Sequence, residues 1–154
     1  MVKRILFIIT CALNITMALH AQVFTQSEVD SYGPVANEAI HDEMYYYNLK
    51  ANYNIRYWHI DKMLIFTYTL TSSSAFQLSD VFNAFNIEAV KDKVIKGIIK
   101  KYMDDDQTGK QLESFVYRLK KLGIPIIVKC QYKKEEKSAT ATPAEIQKLA
   151  SLFY

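Results

Sequence analysis

The chain has 154 residues, with 19 basic and 16 acidic side chains and a formal net charge of +3. Lys3 and Arg4 are two of those basic residues and no acid precedes residue 22, which leaves 17 basic and 16 acidic residues, a net charge of +1, in residues 22–154. A near-neutral balance provides no general attraction to nucleic acid or to an anionic membrane, so we expect neither as a partner. The length fits one domain with its own core.

The first 21 residues have the pattern of a secretory signal peptide. Lys3 and Arg4 are followed by an apolar stretch over residues 5–19, and Ala21 supplies the small residue that a signal peptidase requires. The apolar stretch is shorter than the roughly 20 residues that cross a bilayer as a helix, and no later run matches it. The sequence therefore predicts a signal peptide over residues 1–21 and no transmembrane span. We expect an exported protein in the periplasm, the cell envelope or the medium.

Three alternatives to this leader remain open. The first is cleavage after Ala18 instead of Ala21. In the second, acylation of Cys11 makes the protein a lipoprotein, but Thr10 stands where Gly, Ala or Ser is expected. The third is an uncleaved N-terminal helix buried in the domain, against which the basic start and the sharp change to polar residues after Ala21 both argue.

The elements between residues 34 and 70 are a predicted helix and a predicted β-hairpin. Gly33-Pro34 is a favourable helix start, and apolar residues at helical spacing follow it, so we expect a helix over 34–49. β-branched and aromatic residues alternate with polar ones over 53–60 and again over 63–70. The two-residue connection between these strands indicates an antiparallel hairpin.

The second half of the chain is predicted to contain three further helices and one strand. Residues 79–103 form one helix or two pieces divided near Asn86, and the helical pattern is clearest over residues 87–103. Residues 107–122 form another helix, 124–131 a strand buried on both faces, and 133–137 a charged connection. Thr142 caps the last helix, with Glu145 completing a capping box. The fold class is therefore α+β, a single two-layer domain over residues 22–154. Its order is α-β-β-α-α-β-α, with a three-stranded sheet covered by about four helices.

One cysteine remains after the leader. Cys130 lies in the last predicted strand and has no partner for an intrachain disulfide. A small buried hydrophobe is the first interpretation. The alternatives are a nucleophile, which needs a nearby histidine such as His41 or His59, or an intermolecular disulfide.

An acidic segment between two predicted helices resembles the opening of a calcium loop. Asp104, Asp106 and Thr108 occupy alternate positions, and Gly109 follows where such a loop turns sharply. The twelfth position, a bidentate Glu in calcium loops, is Phe115. The alternative is a solvated turn in which Asp106 or Thr108 caps the next helix. A calcium-dependent structural module is the functional hypothesis that this segment carries.

Motifs for catalysis and cofactor binding are weak or missing in the sequence. Glu38, His41 and Glu43 share a predicted helix, but Glu43 diverges from the other two, and a zinc site needs three or four ligands. The sequence contains no Gly-x-Ser-x-Gly elbow and no glycine-rich phosphate loop. We therefore name no catalytic residue and no cofactor, and keep a small secreted hydrolase as the alternative function.

The aromatic residues favour a binding function. Eleven tyrosines and one tryptophan are present, and five of these rings fall in the first helix and first strand: Tyr45, Tyr46, Tyr47, Tyr57 and Trp58. Such rings offer large, rigid contact area with a polar tip, although they also build ordinary cores. The sequence therefore predicts a non-enzymatic binding or interaction protein of the cell envelope, for a protein or small-molecule ligand. A homodimer through these rings is a further expectation.

The chain also resembles a group of small secreted proteins from Bacteroidota. The resemblance rests on the Ala21-Gln22 junction, the hairpin with its Phe66-Thr67-Tyr68-Thr69-Leu70 run, and the terminal segment Thr142 to Glu145. It implies a bacterial, exported protein with a helical segment before a hairpin and a late strand before a final helix. Members of that group have no established function, so the resemblance carries over no active residues.

Overall fold

One mixed sheet organises the computed structural model of the chain, which describes residues 23–153. The described residues form seven helices and four strands. In chain order these elements are α1 (Gln26–Asp30), α2 (Gly33–Ala39), α3 (His41–Tyr46), β1 (Leu49–Trp58), β2 (Met63–Ser73), α4 (Leu78–Ala84), α5 (Ile87–Asp105), α6 (Lys110–Leu122), β3 (Ile126–Tyr132), β4 (Glu135–Ala141) and α7 (Pro143–Ala150). The predicted leader and Cys11 lie outside the described residues. None of the described helices is long and apolar enough to cross a bilayer.

The sheet has the strand order β1-β2-β3-β4. β1 pairs with β2 and β3 pairs with β4 in antiparallel fashion, whereas β2 and β3 are parallel. The parallel pair needs a long crossover, which α4, α5 and α6 provide. The α+β class and the antiparallel hairpin are therefore confirmed.

The prediction of three strands was wrong, because residues 135–141 form a fourth strand instead of continuing a charged connection. Lys133 takes a positive φ of 55° in the two-residue turn that joins β3 to β4. β4 has few large apolar residues, since its inward positions Ala139 and Ala141 are small where α5 packs against them. Its exposed positions are charged or polar, which is common in edge strands that avoid further pairing.

The predicted helix over 34–49 is also corrected, because it is two short helices followed by a strand. Ile40 leaves helical geometry at φ −111° and ψ 9°, which separates α2 from α3. Asn48 then takes a positive φ of 44°, and β1 begins at Leu49, four residues earlier than expected. The apolar spacing continues across the break, so the sequence pattern alone does not reveal it.

The helical pieces in the second half follow the sequence more closely. Residues 79–103 form two helices divided near Asn86, which confirms one of the two alternatives. The Asn86 side chain accepts a hydrogen bond from the Ala89 N–H at 3.1 Å. The capping box of Thr142 and Glu145 is present in full. α6 begins at Lys110, three residues later than expected.

The core lies between the sheet and the helices. On β2 the inward residues are Leu64, Phe66, Tyr68 and Leu70, as the alternation predicts, and all are buried. The Tyr68 hydroxyl, which would be costly to bury unpaired, donates to the Ala36 carbonyl at 2.9 Å. This bond ties the centre of the sheet to α2.

The contact between α2 and α5 depends on a glycine. A Cβ added at Gly97 would lie 2.8 Å from Cγ1 of Val35, closer than real contacts allow. Val35 is β-branched and stiff at χ1, so it cannot easily turn away. Gly97 therefore permits the close approach of the two helices.

We expect Gly97→Ala to lower the free energy of unfolding by about 1–2 kcal/mol, because the overpacking exceeds the gain in helix propensity. Denaturant titration followed by circular dichroism measures this. In a Val35→Ala background the same Gly97→Ala change is expected to be neutral or stabilising. A stabilising effect of Gly97→Ala in the parent chain would contradict the packing argument.

Candidate functional site

One face of the sheet is covered by none of the helices within residues 23–153, and its residues form the candidate site. Side chains alternate along each strand, so the positions between the core residues point to this second face. We call it the open face; it includes Asn52, Asn54, Arg56, Trp58, Met63, Ile65, Thr67, Thr69, Ile127, Lys129, Gln131, Glu136, Ser138 and Thr140. Most of these side chains can form hydrogen bonds, and few are charged.

The register aligns the open face in three cross-strand rows. Arg56, Ile65, Ile127 and Thr140 form the first, Asn54, Thr67, Lys129 and Ser138 the second, and Asn52, Thr69, Gln131 and Glu136 the third. Neighbouring strands are about 4.8 Å apart, so each row brings four side chains within about 15 Å.

A groove of about 370 Å³ runs across β1, β2 and β3 on this face. Its lining residues are Asn54, Arg56, Trp58, Ile65, Thr67, Thr69, Lys129 and Gln131. Ile65 is 9 % exposed and supplies an apolar floor, although it lies outside the main core. The lining combines an apolar floor and one indole ring with six polar side chains, so it is more polar than most small-molecule sites and suits a hydrophilic ligand.

The charges on the open face are unevenly paired. Lys129 donates to Glu136 at 2.9 Å, and Gln131 donates to the other oxygen of that carboxylate, also at 2.9 Å. These hydrogen bonds from Gln131 and Lys129 hold the pKa of Glu136 below its usual range. Arg56 Nε donates only one long hydrogen bond, of 3.4 Å, to the side-chain Oδ1 of Asn54, and within residues 23–153 no carboxylate lies within 4.0 Å of Arg56. Arg56 is therefore the cation of the groove that a ligand can approach.

The structure distributes the five predicted aromatic residues over three places. Trp58 is 39 % exposed and lines the groove. Tyr57 points to the opposite face of β1, where its ring lies 5.1 Å from that of Phe24. Tyr45, Tyr46 and Tyr47 precede β1 and so lie at its other end, about 30 Å from Trp58 along a strand of 10 residues.

The tyrosines at the start of β1 belong to a second aromatic surface. The rings of Tyr46 and Phe76 stack at 6.3 Å, and Tyr47 meets both edge-on; we call these three residues the aromatic cluster. Tyr45 and Tyr46 are 85 % and 70 % exposed. The neighbouring carboxylates of Asp42 and Glu43 are already paired with Lys93 at 2.9 and 3.3 Å. The carboxylates next to the aromatic cluster are therefore already engaged by Lys93, and fewer polar groups are left there to bind a ligand than in the groove. A homodimer through these rings stays a prediction.

The acidic segment around residue 106 is used for capping. The Asp106 carboxylate accepts hydrogen bonds from the Thr108 N–H and hydroxyl and from the Gln111 N–H in the first turn of α6. Asp104 lines a different cleft, with Lys100 and Glu38. Residues 23–153 contain no group of three or more His, Cys, Asp or Glu side chains placed to hold a metal ion. The structure thus favours the capping alternative for this segment.

The two histidines and the cysteine of residues 23–153 lie apart from one another. His41 begins α3 with a 3.8 Å contact to Asp42, whereas His59 follows the far end of β1 and packs edge-on to Tyr57. Cys130 is fully buried in β3, and desolvation raises the pKa of its thiol to about 12. A thiol with that pKa is protonated at neutral pH and is a poor nucleophile.

A polar cluster that the sequence analysis missed fastens the first helix to the helical layer. The Arg118 guanidinium donates to both Glu28 oxygens at 3.1 and 2.5 Å and to the Val23 carbonyl at 2.8 Å. The Tyr102 hydroxyl donates to Glu28 at 2.7 Å, and the Tyr32 and Tyr102 hydroxyls are 2.7 Å apart. Arg118 also lies 4.5 Å over the Phe24 ring. These bonds join residues 23–32 to α5 and α6, so we assign the cluster a structural role.

The sequence contained part of the signal for the groove. The alternation of Asn54, Arg56 and Trp58 with apolar residues predicted that these three side chains share one face of β1. It did not indicate that this face of the sheet is open. Lys129 and Gln131 were missed because the run Ile126-Ile127-Val128 predicted burial on both faces. Ile126 and Val128 are buried, whereas Ile127 is half-buried on the open face.

Comparison with protein-family models, with curated proteins and with solved structures finds no match to this chain. The resemblance to secreted proteins of Bacteroidota stays a prediction.

We expect the free energy of unfolding to fall as the pH rises above 10. Burial raises the pKa values of Tyr32, Tyr68 and Tyr102 above the ordinary value of 10.0. Because the folded state holds these protons more tightly, the unfolded chain loses them first, and alkali favours unfolding by about 1.4 kcal/mol per pH unit for each tyrosine. Denaturant titrations at several pH values measure the slope. Tyr68→Phe is expected to reduce it, and an unchanged stability well above pH 10 would disprove the argument.

We expect Cys130 to resist thiol reagents in the folded protein, because it is buried and protonated. In a Cys11→Ser background, where Cys130 is the one thiol, reaction with a chromogenic disulfide is expected only after denaturant is added, and its rate then reports unfolding. Rapid modification of the native protein is the opposite result and would show that the thiol is accessible.

Proposed function

We propose that the protein is an exported, non-enzymatic binding protein of the bacterial cell envelope, and that its ligand lies in the groove of the open face. The observation that carries this proposal is the sheet face that no helix of residues 23–153 covers, with the eight convergent residues that line its groove. Export rests on the pattern of residues 1–21.

The chemistry of the lining supports binding rather than catalysis. The eight lining residues are amides, hydroxyls, two cations, one indole and one isoleucine. A nucleophile activated by an adjacent base, or a pair of carboxylates, would be needed for hydrolysis, and these eight residues provide neither. Arg56 and Lys129 can hold and orient a ligand instead.

The geometry supports a ligand that lies flat across the strands. The groove spans three strands and opens to solvent, so it contacts an extended ligand on one side. Trp58 provides a rigid ring with large contact area at one end, which is typical of residues that dominate binding energy.

Trp58 also makes the proposal directly testable, because it is the one tryptophan in the chain. We expect its fluorescence to change in a saturable way on titration with at least one member of a panel of neutral and acidic oligosaccharides and short neutral and acidic peptides. Thr67→Leu places a larger apolar side chain in the groove and is expected to weaken that binding at least tenfold, since it removes a hydrogen-bonding group and fills space.

Thr140→Leu is the matched control. It makes the same chemical change on the same face of the sheet, but Thr140 lies on β4 outside the groove. It is expected to bind as the parent does. No response to any member of the panel, or a response that Thr67→Leu leaves intact, would overturn the proposal.

A further inference from the structure

The net charge of the groove lining comes from Arg56 and Lys129, and only Arg56 has no carboxylate partner within residues 23–153. Two of the eight groove-lining residues are cations and none is a carboxylate. Lys129 is held by Glu136 at 2.9 Å, so its charge is largely compensated. Arg56 has no such partner within residues 23–153, and its planar fork matches a carboxylate in bidentate geometry. The groove therefore favours an anionic ligand.

The neutral lining residues select a ligand with many hydroxyl groups. The Asn54 and Gln131 amides and the Thr67 and Thr69 hydroxyls offer both donors and acceptors. A fully ionised anion such as sulfate only accepts hydrogen bonds, so it would leave the acceptors of the groove bonded to water. Sugar hydroxyls both donate and accept, so they satisfy all of these groups.

Trp58 is placed to contact a sugar ring beside that anionic group. Arg56 and Trp58 are two residues apart on β1, so their side chains emerge next to each other on the open face. The face of an indole ring carries partial negative charge. It attracts the C–H groups of a sugar ring and repels a carboxylate, which is left to pair with Arg56.

We propose that the groove binds an acidic polysaccharide, a chain of sugars that carry carboxylate groups. One carboxylate pairs with the Arg56 guanidinium, the adjoining sugar ring lies against Trp58, and hydroxyls of the chain bond to Asn54, Thr67 and Thr69. The open, shallow groove across three strands fits a segment of an extended polymer. This inference rests on the proposed function and adds the class of ligand to it.

The test uses three probes in Trp58 fluorescence titrations, with calorimetry as a second measurement. Acidic oligosaccharides, namely oligomers of galacturonate, alginate and hyaluronan, are the first. Their methyl esters are the second, since they keep the sugars and lose the charge. Poly-glutamate is the third, since it keeps the charge and lacks the sugars. We expect at least one acidic oligosaccharide to bind about tenfold or more tightly than its methyl ester and than poly-glutamate.

The Arg56→Gln variant tests the role of the guanidinium. Arg56 is exposed on an edge strand, so the variant is expected to fold, and thermal melting checks this. It should remove the preference for the acid over the ester. Lys96→Gln is the matched control, because it removes one positive charge from an exposed position on α5, away from the groove, and it should preserve the preference.

The outcomes separate this inference from the proposed function. If the methyl esters bind as tightly as the acids, the anionic ligand is wrong and the binding function stands. If poly-glutamate binds as tightly as the oligosaccharides, charge alone is recognised and the saccharide is wrong. If no acidic oligosaccharide binds, the inference fails, and the response to the wider panel then decides the proposed function.

Discussion

The one-sided cover of the sheet is the constraint on which the rest of the structure depends. β2 and β3 are parallel, so the chain must cross from the end of one to the start of the other, and α4, α5 and α6 make that crossing. Tyr68 then fastens the sheet to α2 through the Ala36 carbonyl. The helices of residues 23–153 thus pack on the same side as the apolar rows, and none of them covers the opposite rows.

Along each strand, side chains that point into the core alternate with side chains that point to the open face. The residues that stabilise the fold are therefore different from those that line the groove. On β2, Phe66 and Tyr68 build the core while Thr67 and Thr69 line the groove. A substitution at Thr67 therefore changes the groove with little effect on the core. Thr67 is next to Phe66 and Tyr68 in the sequence, but its side chain does not pack against theirs. Ile65 is the exception: it is 9 % exposed on the open face and serves as the groove floor, so its removal affects both the site and the sheet.

The sequence predicted those parts of the fold that a single segment determines. The hairpin followed from alternation, and the capping box of α7 followed from Thr142 and Glu145, because each signal lies within a few residues. The fourth strand did not follow, since Ala139 and Ala141 are small to suit α5, a segment about 45 residues away. The break at Ile40 was missed for a related reason, because helical spacing continues through it.

The candidate site could be predicted only in part, because it is assembled from strands that are distant in sequence. Trp58 was expected to belong to a binding surface with Tyr45, Tyr46 and Tyr47, which lie at the other end of β1. Its actual neighbours include Arg56, two residues away, and, across the sheet, Lys129 and Gln131 on β3. Beside tyrosines the ring would add to an aromatic surface with hydroxyl tips and no charge. Beside a guanidinium that has no carboxylate partner within residues 23–153, it can contact a ligand with a charge and an apolar face. The parallel pairing of β2 with β3, which no local pattern specifies, therefore decides the chemistry of the groove.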